Sequence, residues 1–282
     1  MFIPRLISSI CFLVLIVSIV RFELSTPTYL LISVIALLAL WEFYLLQESK
    51  GLRMFKKFGV FCALAFLVSE YLYLVKPDVF GLSESLESVV ISLVIVAILG
   101  RMIFEKERTS PVATIALTLF GILYVPYLFH FLSKIIFIDQ DGTMSGVYFA
   151  AYLIAVTKFT DIGAYLVGSK FGKHKMSPEI SPKKSWEGLA AGLVSGLAVS
   201  LLMVKFMPES LGLMQYSHAI ILGLLIPLVG VIGDLAESIV KRDADIKDSG
   251  GVIPGIGGSF DLIDSLLYTA PVFYFYLIYI VR

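Results

Sequence analysis

Between Asp234 and Ser265 the chain reads DLAESIVKRDADIKDSGGVIPGIGGSFDLIDS, a polar stretch set between two strongly apolar segments. It combines carboxylates, the basic pair Lys241 and Arg242, the pair Lys247 and Asp248, and a Gly-rich loop. Carboxylate oxygens suit a hard divalent cation, and cationic side chains beside a bendable backbone suit a polyphosphate. If residues 217 to 240 are helical, Asp234, Ser238 and Lys241 share one stripe. Asp234 then lies roughly 10 Å deeper than Lys241, by the rise per residue. Ser259 is the predicted N-cap of the last apolar helix, which places Asp261 and Asp264 in its first turn, where free N–H groups and the helix dipole favour carboxylates. Gly250, Gly251, Gly255, Gly257 and Gly258 let the loop turn sharply against a ligand.

These residues are carried by a membrane protein. The chain is 58% hydrophobic with a mean hydropathy of +0.92, well above the roughly 45–50% apolar content of soluble domains. Runs of about 20 apolar residues predict nine spans: 6 to 20, 28 to 46, 58 to 75, 87 to 104, 111 to 132, 146 to 168, 188 to 206, 217 to 240 and 264 to 281. No cleavage motif follows Val20, so the first is expected to be a retained helix. The reading is an all-α polytopic domain without linker, repeat or soluble module. Residues 1–145 are expected to anchor it and residues 146–282 to form the catalytic region with its two polar loops, 169–187 and 241–263, the whole making one structural unit.

Net charge is zero, so nothing points to nucleic acid, and the placement of charge is the useful signal. With alternating spans, sixteen Lys and Arg residues fall on one side and five on the other, with Lys158 inside a span. The positive-inside rule makes the richer side cytoplasmic, and it holds the N-terminus and both polar loops. Cys11 and Cys62 lie in apolar runs and read as buried thiols. Glu42 and Glu70 fall near span ends and are expected to snorkel to the interface. The basic segment from Gln47 to Gly59 suits either contact with anionic lipid or topological signalling alone.

A second polar island, VTKFTDIGAYLVGSKFGKHKMSPEISPKKSWEG, starts inside the sixth predicted span. Lys158 and Asp161, three apart, form an ion pair at membrane depth, which is either functional or purely structural. Lys170, Lys173, Lys175, Lys183 and Lys184 then make an electropositive rim suited to a triphosphate. The run from Gly168 to His174 is not a P-loop, because the glycine spacing and the residue after Lys173 are wrong.

Both islands resemble the phosphatidate cytidylyltransferases, also called CDP-diacylglycerol synthases. The family signature reads Ser-x-apolar-Lys-Arg, four residues, Lys-Asp-x-Gly, then apolar-Pro-x-His-Gly-Gly, two residues, Asp-Arg-x-Asp. Ser238, Lys241, Arg242, Lys247, Asp248, Gly250, Ile253, Pro254, Gly257, Gly258, Asp261 and Asp264 fall in step with it. Asp161, Ala164, Tyr165, Phe171 to Lys175 and Ser181 to Gly188 match the family's Asp-x-x-Ala-Tyr, Phe-Gly-Lys-His-Lys and Ser-Pro-Lys-Lys-Ser/Thr-Trp-Glu-Gly. Ile256, Ser259 and Leu262 depart, standing where the family has His, an apolar residue and Arg.

The resemblance implies transfer of the cytidylyl group of CTP to phosphatidate, a step of phospholipid biosynthesis. It assigns Asp234 and Asp261 to Mg2+, with room for a second cation, and Lys241, Arg242, Lys247, Asp248 and Asp264 to catalysis. Lys183, Lys184, Lys173, Asp161, Gly257 and Gly258 would bind substrate. Oligomeric state stays open, a homodimer included. Two other readings remain. A CTP-dependent polyprenol or phytol kinase shares the architecture, but its alcohol acceptor wants a base. A cation-coupled transporter would also bury Asp161 and Asp234, yet should show an inverted repeat.

Overall fold

The computed structural model describes residues 24–75, 86–106, 109–138, 146–212, 214–244 and 258–281. Among them, eight spans are long and apolar enough to cross a bilayer. In order these are α1 (Ser25–Ser49), α2 (Lys56–Val75), α3 (Leu86–Ile103), and a composite span in which α4 (Pro111–Ile122), a π-helical turn (Leu123–Tyr127) and α5 (Leu128–Ile136) follow one another. Next come α6 (Gly146–Phe171), a hairpin of β1 (Lys175–Ser177) and β2 (Ser181–Ser185), α7 (Trp186–Phe206), the single turn α8 (Pro208–Leu211) and α9 (Tyr216–Asp243). The last span is α10 (Ser259–Tyr276), which ends in a π-helical turn, Leu277–Val281. The expected span at 6 to 20 lies outside the described residues, as does Cys11, whereas Cys62 is buried as a free thiol.

Helix is the form that these apolar runs must take, because lipid offers no partner to an open N–H or C=O. Pro111 is placed harmlessly in the first turn of α4. Pro126 falls in the π turn, where a missing N–H and the wider turn coincide. The outer face is apolar, with Leu30, Phe61, Val96 and Val194 exposed, while Tyr44, Phe66, Tyr152, Phe260 and Phe273 fill the interior.

Between apolar helices in lipid, close packing replaces hydrophobic burial as the source of attraction, and small residues allow it. The α6–α7 contact follows this rule. Gly188, Gly192, Gly196 and Ser200, spaced by four, are the buried stripe of α7. A Cβ on Gly196 would stand 2.6 Å from Thr160 Oγ1 and 2.6 Å from Pro227 Cγ, so three helices meet there. Ser195 Oγ donates to the Phe159 carbonyl at 2.8 Å, and Ser200 Oγ links Tyr152 Oη at 2.5 Å to the Ala219 carbonyl at 2.6 Å.

Ion pairs mark the two ends of the bundle. Lys50, after α1, meets Asp243 at the end of α9 at 2.5 Å, and Arg242 Nε donates to the Ile180 carbonyl of the hairpin at 3.3 Å. The α1–α2 loop, the hairpin and the end of α9 therefore share one end. Lys56 pairs with Glu48, so acidic neighbours engage two cations of the basic segment that could have faced lipid. Lys134 and Glu87 pair at the opposite end.

Several expectations are corrected. Glu42 and Glu70 are each 1% exposed and do not snorkel. α1 continues to Ser49 beyond Glu42, and an inward task claims the side chain: its Oε2 accepts the Phe260 N–H at 2.8 Å. Gly258, not Ser259, is the N-cap of α10, and Ser259 is buried inside the first turn. Asp261 is in that turn, while Asp264 lies in the next. The 169–187 segment contains an antiparallel hairpin rather than only loop.

The glycine seam yields a test. Gly196→Val should overpack the three-helix junction, cost about 1–3 kcal/mol and lower the thermal midpoint of detergent-solubilised protein. Gly100→Ala, where a Cβ meets nothing within 4 Å, should leave it unchanged. Equal behaviour of the two would show that the seam does not hold the bundle.

Candidate active site

The hairpin end of the bundle gathers the polar residues of both islands. Asp234 lies in α9 two turns before Lys241, as the rise of the helix requires. α10 starts beside it, with Glu42 of α1 standing in for the missing N-cap side chain by accepting the Phe260 N–H. That contact fixes where Asp261 and Asp264 project.

Asp234, Glu237 and Asp264 each offer a carboxylate oxygen, and these atoms lie within 4.8 Å of one another. Glu237 is 1% exposed, and its Oε1 has no hydrogen-bond partner among the described residues. An orphaned, buried oxygen beside two further carboxylates fits Mg2+, which takes oxygen ligands and keeps room for water and phosphate. Lys241 Nζ bridges Glu237 at 2.8 Å and Asp261 at 3.0 Å. Asp264 Oδ1 accepts from the Ser265 N–H at 2.5 Å and faces Ser265 Oγ at 3.2 Å.

From the hairpin, Lys184 reaches Asp234 Oδ2 at 2.6 Å. Successive strand residues point to opposite faces, so Lys183 is turned outward and exposed, as is Lys173 before β1. From α6, Lys158 donates to the Leu262 carbonyl at 3.1 Å and stands 3.8 Å from Asp161. Asp161 is within electrostatic range of Lys184 and Asp234, and Asp264 of Asp161 and Lys158. Five carboxylates thus face three ammonium groups, a formal surplus of two negative charges that one divalent cation would neutralise.

The conspicuous Ser-Trp-Glu-Gly run has a structural task. Ser185 caps α7, its Oγ accepting the Gly188 N–H at 3.2 Å. The Trp186 N–H donates to the His174 carbonyl at 3.0 Å, and Glu187 holds His174 through Nδ1 at 2.6 Å and the backbone N–H at 3.2 Å. Together these contacts clamp the base of the hairpin and so aim Lys184.

The structure brings together Asp161, Lys184, Asp234, Lys241, Asp261 and Asp264, with Gly258 at the start of α10. Arg242 is exposed and turned to the hairpin. Lys247, Asp248 and Gly257 lie outside the described residues. Sequence reasoning missed Glu237, although its spacing from Asp234 and Lys241 placed it on their face. It missed Glu42 as well, whose tie to α10 spans more than two hundred residues and leaves no local signal.

Comparison with known proteins gives the family. The phosphatidate cytidylyltransferase of Bacillus subtilis (strain 168) is 30% identical over 253 residues, 89% of this chain and 88% of that protein. The enzyme of that name from Chlamydia muridarum is 35% identical over 179 residues, covering 61% and 58%. That of Haemophilus influenzae is 41% identical over 133 residues, 46% of each chain. A family model described as the cytidylyltransferase family matches residues 3–280, the anchoring helices included. With the match running through both polar islands and every described span, the chain belongs to the cytidylyltransferase family.

Proposed function

We propose that this membrane protein transfers the cytidylyl group of CTP to phosphatidate, giving CDP-diacylglycerol and pyrophosphate. The observation that carries the reading is the oxygen-donor trio of Asp234, Glu237 and Asp264 beside a lysine hung from a basic hairpin, in a chain of this family.

The acceptor needs no general base, since a phosphate monoester with a second pKa of about 6 is largely ionised near neutral pH. Its oxygen attacks the α-phosphorus of CTP, and the bond to the pyrophosphate oxygen breaks. What limits the rate is like-charge repulsion and alignment, so fixed positive charge is the useful contribution. Asp234, Glu237 and Asp264 would hold Mg2+, which would neutralise charge on the phosphates when bound. Asp261, which accepts from Lys241 through Oδ1, would stand beside them. Lys183 and Lys173 on the exposed edge would meet the triphosphate, and Arg242, with its planar fork, the lipid phosphate. Lys184 and Lys241, already seated on carboxylates, hold the ligand oxygens in place and add charge nearby.

The hairpin end faces the cytoplasm in this proposal, because it carries the excess of Lys and Arg and a soluble nucleotide must reach it. The site opens sideways to the inner leaflet, since a diacyl lipid cannot cheaply leave the bilayer.

Purified full-length protein given CTP labelled in the α-phosphate should form a labelled lipid and pyrophosphate only when phosphatidate is added. Release of CDP with phosphorylation of a polyprenol or phytol would instead make it a kinase. In the same assay Asp234→Asn and Glu237→Gln should each lower kcat/KM at least about 100-fold, a loss of about 2.7 kcal/mol. A tenth or more of wild-type activity in either variant would remove that residue from the site.

Topology is tested with single cysteines in a background lacking Cys11 and Cys62. Ser177→Cys in β1 should react with an impermeant maleimide only after the cells are opened, and Gln215→Cys before α9 should react in intact cells. The reverse pattern would turn the molecule over.

A further inference from the structure

A second cluster of ionisable groups lies at the end of the bundle opposite the hairpin. Glu70 near the end of α2, Glu87 in the first turn of α3 and His130 in α5 each direct a ligand atom to one point, and the three atoms lie within 4.8 Å of one another. Glu70 and His130 are each 1% exposed. Both carboxylate oxygens of Glu70 and the Nε2 of His130 lack a hydrogen-bond partner among the described residues.

Hydrogen bonding fixes the character of the imidazole. His130 Nδ1 contacts the Tyr127 carbonyl, a main-chain acceptor, so the proton belongs on Nδ1 and the lone pair on Nε2. That carbonyl is the last residue of the π turn, a distortion that recurs at functional sites. Nε2 then faces Glu87 Oε1 at 3.5 Å and Glu70 Oε2 at 3.9 Å, too far for good hydrogen bonds. Three electron-rich atoms converging in a buried space repel one another unless a proton or a metal cation lies between them. Donors bound to one tetrahedral ion at about 2.1 Å are about 3.4 Å apart, close to these separations. Lys134 does not fill the place, because its ammonium is on the other oxygen of Glu87 and over the rings of Phe131 and Tyr274. It leaves Oε1 turned to His130.

We propose that Glu70, Glu87 and His130 bind a divalent transition-metal ion of the zinc type, joining α2, α3 and α5. An imidazole with two carboxylates suits such an ion, and the nitrogen donor argues against Mg2+. The contact from Nδ1 to a main-chain carbonyl is the usual outer support of a ligating histidine. Phe66 packs edge-on against His130, with ring centroids 5.1 Å apart. The ion would staple three helices where the stripe of small residues in α7 does not reach.

Untagged full-length protein, stripped with a chelator, is titrated with Co2+ and its visible ligand-field absorption followed. With Mg2+ in large excess to occupy the α9–α10 carboxylates, one equivalent should bind in a low-symmetry, nitrogen-containing site and be displaced by Zn2+. His130→Gln and Glu70→Gln should each weaken Co2+ binding at least about 10-fold, whereas Asp234→Asn should leave the band in place. If a variant does not fold, X-ray absorption of the wild-type cobalt complex still decides, because one imidazole nitrogen must appear among the ligands. Absence of a stoichiometric band in the wild type, an all-oxygen shell, or a band unchanged by both variants would overturn the proposal.

Discussion

Surplus negative charge held between α9 and α10 is the constraint on which the hairpin end of this molecule depends. Separating charges from water costs several kcal/mol per ion unless each finds a partner. The surrounding elements are arranged accordingly. The hairpin delivers Lys184 to Asp234, α6 delivers Lys158 to the edge of α10, and Lys241 bridges Glu237 and Asp261. What these three ammonium groups leave uncompensated suits a divalent cation and, with it, a phosphate-rich substrate.

Remote packing makes that arrangement possible. The glycine stripe of α7 lets α6 approach it closely, and α6 carries Lys158 and Asp161 within electrostatic range of Asp264. α1 contributes through Glu42, which supplies an acceptor to the Phe260 N–H where Gly258 has no side chain to do so. Phe260 itself is clasped by Phe43 and Tyr124, with ring centroids 6.0 and 5.9 Å away. Residues of the anchoring region therefore set the position of the carboxylates in the catalytic region.

Much of this was legible in the sequence where the signal was local. Hydropathy placed the eight described spans within about five residues of their observed ends, because a bilayer demands a fixed length of apolar helix. The polar islands stood out because charge in such a chain must have a use. Asp161, Asp234, Asp261 and Asp264 proved to be neighbours although α6 and α10 are about a hundred residues apart. What local reading could not give were partners set by tertiary contact. Glu42 and Glu70 look like span-end residues until the facing helix is known. Glu237 was overlooked beside a more familiar motif. Ser259 has the chemistry of a cap, but the backbone placed Gly258 there and buried the serine.

On the proposed function, the α9–α10 carboxylates would form a divalent-cation site before any nucleotide arrives. The most direct test is the thermal midpoint of the nucleotide-free, full-length protein as a function of Mg2+, because an ion bound only by the folded state stabilises it by about 2.7 kcal/mol at a hundredfold excess over Kd. Wild-type protein should show a saturable rise in midpoint, and Asp264→Asn should show little or none. A wild-type midpoint indifferent to Mg2+, or a rise of equal size in Asp264→Asn, would contradict the account.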